Sequence, residues 1–134
     1  MAYSESQTQF SAIAETTFAK TDLYKFVQRS TANGRVSIVA TTAPTAVVGT
    51  LLSETYTTST GANEVVTIGS INDGIGKVYM AGSTLHVGSP VACSSKGFGI
   101  SPTTNSVQLG FIVEGTSGTT GHIASVQFVR TMDL

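Results

Sequence analysis

From Leu23 onward the chain alternates short apolar or β-branched runs with glycine-containing turns. Alternation with a period of two is what a strand with one buried face requires. The first two runs, Tyr24 to Arg29 and Arg35 to Val39, flank Thr31-Ala32-Asn33-Gly34. Asn-Gly in that place predicts a hairpin with a type I′ turn, because both residues tolerate positive φ. Further turns are predicted at Thr58-Ser59-Thr60-Gly61, Asn72-Asp73-Gly74, Ser94-Ser95-Lys96-Gly97 and Gly115-Thr116-Ser117-Gly118. Between them lie candidate strands at 47–53, 64–68, 75–80, 89–93, 106–114 and 125–130. Pro44, Pro90 and Pro102 stand at run boundaries, where a missing backbone donor harms a ladder least. Such spacing predicts an all-β sandwich or small barrel. Residues 1 to about 18 break the pattern, polar at first and then with Phe10, Ile13 and Phe18 scattered without a turn signal. They read as an extended N-terminal arm before a single β domain over 19–134. The alternative is a short amphipathic helix after Ser6 or Thr8, with Phe10, Ile13, Ala14 and Thr17 along one side.

An internal repeat emerges when the chain is cut near Gly69, giving similar halves over 19–69 and 70–130. In the first, Phe26-Val27 is followed by Gly34, then by Val48-Gly49 with an apolar run, then by the octet Gly61 to Ile68. In the second, Pro90-Val91 is followed by Gly97, then by Leu109-Gly110 with an apolar run, then by the octet Gly121 to Phe128. The octets share the form glycine, four residues, valine, polar, large apolar. Each half is a few strands turned by glycines, so two copies packed together can close a compact core.

Composition narrows the functional classes. The 134 residues suit one core. Charged residues make up only 11 % of the chain and the formal net charge is -1, so no basic field is available for phosphates or an anionic membrane surface. Abundant Ser and Thr with 14 Gly favour strands and hydroxyl-lined surfaces. A surface so poor in charge is expected either to be hidden in a permanent assembly or to be hydrated by hydroxyls and amides alone. Cys93 is the single cysteine, which excludes an intramolecular disulfide and any multi-cysteine zinc site, and it reads as a small buried residue. Met1-Ala2-Tyr3-Ser4-Glu5-Ser6 has no basic or apolar signal region, and no stretch approaches the roughly 20 apolar residues of a membrane span. Synthesis in the cytoplasm of a host cell is expected.

Catalytic chemistry finds no support in the residues. His86 and His122 are the only histidines, and with so many serines a candidate nucleophile is guaranteed by chance. No Gly-x-Ser-x-Gly, His-Glu-x-x-His or Walker motif is present. Gly74-x-Gly76 has Tyr79, and Gly97-x-Gly99 has Pro102, where a dinucleotide fingerprint needs its third glycine, so both pairs read as turns. Glu54, Glu64, Asp73 and Glu114 lie apart in sequence, and a calcium cluster would need the fold to gather them. The expectation is a protein that is not an enzyme, with no cofactor and no metal.

Over about residues 17 to 130 the chain resembles the capsid cement or head decoration proteins of tailed phages. The resemblance is carried by Leu23-Tyr24-Lys25-Phe26-Val27, by Gly34-Arg35-Val36, by Val48-Gly49 and by Gly61 to Ile68. It continues through Gly76 to Ser83, Leu85-His86-Val87-Gly88-Ser89-Pro90-Val91, Leu109 to Glu114 and Ser125-Val126-Gln127-Phe128. Ser and Thr replace the family's alanine-rich loops, and the segment from Thr55 to Thr60 is longer. The resemblance implies a β-barrel-like or tulip-like fold, a homotrimer, and binding on the outer capsid surface of the virion between copies of the major capsid protein. No direct contact with nucleic acid or membrane is expected.

An extended arm can pair with an exposed strand edge on a neighbour. The capsid contact is therefore expected within residues 1 to 18, through Tyr3, Phe10, Ile13 and Phe18; the alternative is a disordered tail. A second reading is a receptor- or glycan-binding module of a tail fibre or other virion appendage. It would need aromatic platforms, and the chain supplies Tyr3, Tyr24, Tyr56 and Tyr79 but no Trp. Tyr24 and Tyr79 lie in strand-like runs, where packing is the usual role.

Overall fold

The structure, a computed structural model, describes residues 8–41, 46–55, 62–72, 74–82, 85–104, 106–115 and 121–129. It is all-β. The strands are β1 (Gln9–Ile13), β2 (Phe26–Arg29), β3 (Val36–Ile38), β4 (Val47–Leu51), β5 (Val65–Ser70), β6 (Ile75–Met80), β7 (Pro90–Cys93), β8 (Gly99–Ile100), β9 (Gln108–Glu114) and β10 (His122–Phe128). A 3₁₀ turn at Lys20–Asp22 precedes β2. Strands β1 to β5 form one sheet in the order β1-β5-β4-β2-β3, and β6 to β10 close a barrel in the order β10-β6-β8-β7-β9.

The two layouts follow one scheme. Replacing each strand of the barrel by the strand five places earlier reproduces the order of the first sheet. Even the closing contact recurs. In the barrel, β6 and β8 meet in parallel at Met80 and Gly99, with Ala81 N–H donating to Gly99 O at 3.0 Å. In the first sheet the outer strands β1 and β3 meet at a parallel bridge between Ala14 and Val36, with Glu15 N–H donating to Val36 O at 2.9 Å. The ladders break register between Val27 and Gln28 in β2 and between Val91 and Ala92 in β7, opposite Gly49 and Gly110. Glycine is required at both places, because an added Cβ would overlap the carbonyl oxygen of Gly69 or of Gln127 in the next strand.

Each layout encloses its own core, and β2 serves both. Strand alternation sends neighbouring residues to opposite faces. Val27 joins Phe18, Val36, Leu51, Val66 and Ile68 inside the first sheet. Phe26 points into the barrel beside Val78, Met80, Val91, Ile112, Val126 and Phe128, meeting the Phe128 ring edge-on at 6.5 Å between centroids. Val39 and Ile71 follow Phe26 into that second core.

Several local expectations are corrected. Residues from Gln9 onward are not a free arm or a helix: β1 pairs antiparallel with β5 from Gln9–Gly69 to Ile13–Val65. Ala12 and Ala14 are buried, and Phe18 is 1 % exposed in the first core. A strand wins here because Phe10, Ala12 and Ala14 share one face at period two and β5 offers an edge. The loop between β2 and β3 is not a type I′ turn. Only Gly34 has positive φ (72°), and its N–H donates to Ser30 O, so the loop spans more residues than the two-residue turn. The closing octets are also displaced by two residues. The structural counterpart of Gly121, whose N–H donates to Met80 O, is Asn63, whose N–H donates to Ala14 O; both are left-handed, at φ 95° and 75°. A shift of two keeps every side chain on its face, which is why the pattern alone accommodates it.

Candidate functional site

Of the four residues expected to meet a capsid, the three that are described, Phe10, Ile13 and Phe18, do not lie in a free arm. Tyr3 lies outside the described residues. Phe10 is half-buried on the inner face of β1, with the Arg29 guanidinium 6.0 Å from its ring centre. Phe18 is buried, and its backbone is tied to Thr55: the Phe18 N–H donates to Thr55 Oγ1 at 3.2 Å and the Thr55 N–H donates to Phe18 O at 3.1 Å. A side chain so held has no surface to offer a partner. Among the described three, Ile13 alone is exposed, at 46 %, on the outer face of β1.

The surface with most chemical character lies at the seam between the sheet and the barrel. The 3₁₀ turn ends in Leu23-Tyr24, and Tyr24 takes a left-handed φ of 69°, a conformation costly for a residue with a Cβ. That turn aims the Tyr24 carbonyl at β6, where it accepts the Tyr79 N–H at 2.9 Å. Next to it, the Phe26 N–H donates to Gly97 O at 2.8 Å. Above these bonds the rings of Tyr79 and Phe98 stack at 5.2 Å, the Lys25 ammonium lies 5.3 Å from both, and the Lys77 ammonium lies 5.9 Å from the Tyr24 ring. Asp22 holds Lys25 in place at 3.0 Å. Tyr24 is therefore a turn residue and not part of a strand, and both tyrosines are engaged with cations and with the opposite layer. Tyr56 and residues 57–60 lie outside the described residues. Lys25, Lys77 and Phe98 were not legible as a group, since nothing in the sequence reports that the Leu23-Tyr24 turn crosses onto β6.

Elsewhere, apolar side chains stand in solvent. Val65 is 67 % exposed beside its cross-strand partner Ile13, and Val87, in the loop before β7, is 65 % exposed. In the barrel the pair corresponding to Ile13–Val65 is Tyr79–Ile123, which the seam covers in part.

Groups suited to catalysis are dispersed. His86 and His122 are both exposed, and among the described residues no three of His, Cys, Asp and Glu are gathered as metal ligands would be. Burial pushes the Cys93 thiol up to about 11, and its Sγ faces Thr41 O at 3.9 Å. A thiol held protonated is a packing group rather than a nucleophile. Every buried side-chain nitrogen or oxygen among the described residues has a hydrogen-bond partner, so the interior presents no polar atom aimed at a ligand. No helix among them is long and apolar enough to cross a membrane.

No protein-family model matches the chain, and no curated protein matches it. Among solved structures it is similar to the N base of head fiber gp8.5 in bacteriophage phi29. The likeness has a TM-score of 0.62 at 18 % identity and covers 95 % of this chain and 98 % of that one. At that identity the two share a fold.

Proposed function

We propose that this chain is a structural protein of a tailed-phage virion, a cement or decoration protein that binds the outside of the head between major capsid proteins and stabilises the shell. The observation that carries the reading is the fold shared with a head-fiber base over nearly the whole of both chains. A module able to sit on a phage head in that form is an appropriate frame for a protein whose sequence resembles the cement family. The low charge content and the exposed Ile13, Val65 and Val87 support it further, since they suit a surface meant to be covered. In this reading the chain acts as a homotrimer, needs no cofactor, catalyses nothing and touches neither nucleic acid nor membrane.

A second reading, the base or receptor-binding module of a virion appendage, is favoured by the same neighbour being part of a fibre and by the Tyr24, Tyr79 and Phe98 rings at the seam. Co-sedimentation with expanded, undecorated capsids of the encoding phage separates the two. Saturable binding by the full chain, with a raised temperature of capsid disruption, is the expected result. Absence of binding, together with retention on a glycan array that Tyr79→Ala abolishes, would replace the cement reading with the appendage one.

A further inference from the structure

We propose that copies of this chain join head to tail, the loop before β7 of one copy (Val87 to Pro90) covering the outer face of β1 and β5 (Ile13 and Val65) of the next. The contact would repeat between molecules the seam that already joins the sheet to the barrel within one. The proposal deepens the oligomer part of the reading above and rests on it for the number of copies.

The argument starts from matched positions. The Tyr24 N–H donates to Leu51 O at 2.8 Å, and in the same place of the barrel the Gly88 N–H donates to Ile112 O at 2.7 Å; both residues are left-handed, at φ 69° and 90°. Lys25 O accepts the Leu51 N–H as Ser89 O accepts the Ile112 N–H. The loop Val87-Gly88 is therefore built like Leu23-Tyr24, the turn that docks on β6. Yet nothing lies within 4 Å of a Cβ placed on Gly88, and Val87 stands in solvent.

The receiving surface is equally bare. Tyr79 of β6, which accepts the Tyr24 turn, corresponds to Ile13 of β1. The Ala14 N–H donates to Glu64 O, so by antiparallel alternation the Ile13 N–H points away from β5, toward the side on which the Tyr79 N–H meets Tyr24 O. Gly97, against which Phe26 O, Ile38 and Lys25 close in the seam, corresponds to Gly34, whose Cβ position has nothing within 4 Å. The one bond that cannot recur is also accounted for. Pro90, in the place of Phe26, has no N–H, and Gly34 O, in the place of Gly97 O, already accepts Arg29 Nη1 at 2.7 Å. A donor and an acceptor have been withdrawn together, leaving Gly88 O to meet the Ile13 N–H and Val87 with Pro90 to cover Ile13 and Val65.

Because the two surfaces lie on different halves, the contact is heterologous and propagates until rotation closes it. In a trimer, three such contacts complete a ring in which sheet and barrel alternate. Sedimentation equilibrium of the full chain, Val65→Lys and Val87→Lys tests this. Both side chains are exposed, so both variants keep the folded circular dichroism spectrum, while a charge at the centre of an apolar contact weakens association roughly 30-fold or more. Wild type is expected as one closed oligomer and each variant as a monomer. An equimolar mixture is expected to give a heterodimer and nothing larger, because each variant retains the surface that the other has lost. A monomeric wild type overturns the interface and the trimer, leaving capsid binding to its own assay. Variants that hold the wild-type mass, or a mixture that stays monomeric, overturn the interface alone.

Discussion

At single positions the fold is governed by where a carbon atom can be placed. Gly49 and Gly110 sit opposite the register breaks of β2 and β7, and a side chain there would collide with backbone that cannot yield without distorting two ladders. Gly110→Ala is expected to cost about 3 kcal/mol or more in urea denaturation. Gly34 is the contrast: its φ is 72° but its surroundings are open, so Gly34→Ala should cost only the left-handed conformation, about 1 kcal/mol. Equal losses at both positions would refute the steric account. Cys93 gives a pH test. Its thiol is raised from 9.0 to about 11 by desolvation, so between those values the folded chain binds a proton that the unfolded chain has released. The thiol's contribution is fully present below about pH 9 and is lost as pH rises through 11. The stability difference between wild type and Cys93→Ala should be flat from pH 6 to 8 and shrink above 9, with the native thiol unreactive to a disulfide reagent at pH 8.

Among the elements, β2 is the one that ties the molecule together. Phe26 and Val27 are adjacent in sequence and buried in different cores, a division that follows from strand alternation. Phe26→Ala removes the ring that meets Phe128 and should cost about 3–5 kcal/mol. Ile13→Ala, on an exposed face, should stay within about 0.5 kcal/mol in the monomer. Deleting residues 1–18 removes β1 and the buried Phe18, so loss of the folded first sheet is expected rather than a trimmed but intact protein. Circular dichroism melts of the deletion and of Phe26→Ala check both.

Legibility followed the same physics. The runs at β6 and β9 could be read because Val78, Met80, Leu109 and Ile112 supply large inward residues and their turns carry glycine, and the cut near Gly69 falls inside β5, just before the chain passes to the barrel. Strand β1 was hidden because Ala12 within it and Ala14 just past it fill inward positions while its aliphatic residue Ile13 points outward, so the run looks like scattered apolar residues in a polar tail. The same inversion hid the start of β10, where Ile123 is exposed. Strand β8 is two residues long, and Gly99 is needed because a Cβ there would press on Met80 and Val78; the sequence shows such a glycine as a turn. The seam was beyond reach altogether, since it depends on a left-handed tyrosine that no local pattern announces.

For the whole molecule, the balance of forces at any assembly contact can be argued from how few charges exist. The chain carries 7 Lys and Arg against 8 Asp and Glu. Several of the cations are already committed: Lys25 to Asp22 and the Tyr79 and Phe98 rings, Arg29 to Gly34 O and the Phe10 ring, Lys77 to the Tyr24 ring. Exposed aliphatic side chains stand among the remaining charges, at Ile13, Val65 and Val87. Contacts made by such surfaces are driven by removing apolar area from water, which salt does not screen, whereas contacts steered by opposite charges weaken steeply once the Debye length falls to a few ångströms. The self-association and capsid binding proposed above should therefore change by less than about threefold between roughly 0.05 and 0.5 M sodium chloride, and should strengthen in sulfate. A tenfold or greater loss of capsid binding over that range, with the oligomer unchanged, would assign the capsid contact to the Lys25 and Lys77 side of the seam and leave the apolar face to the contact between copies.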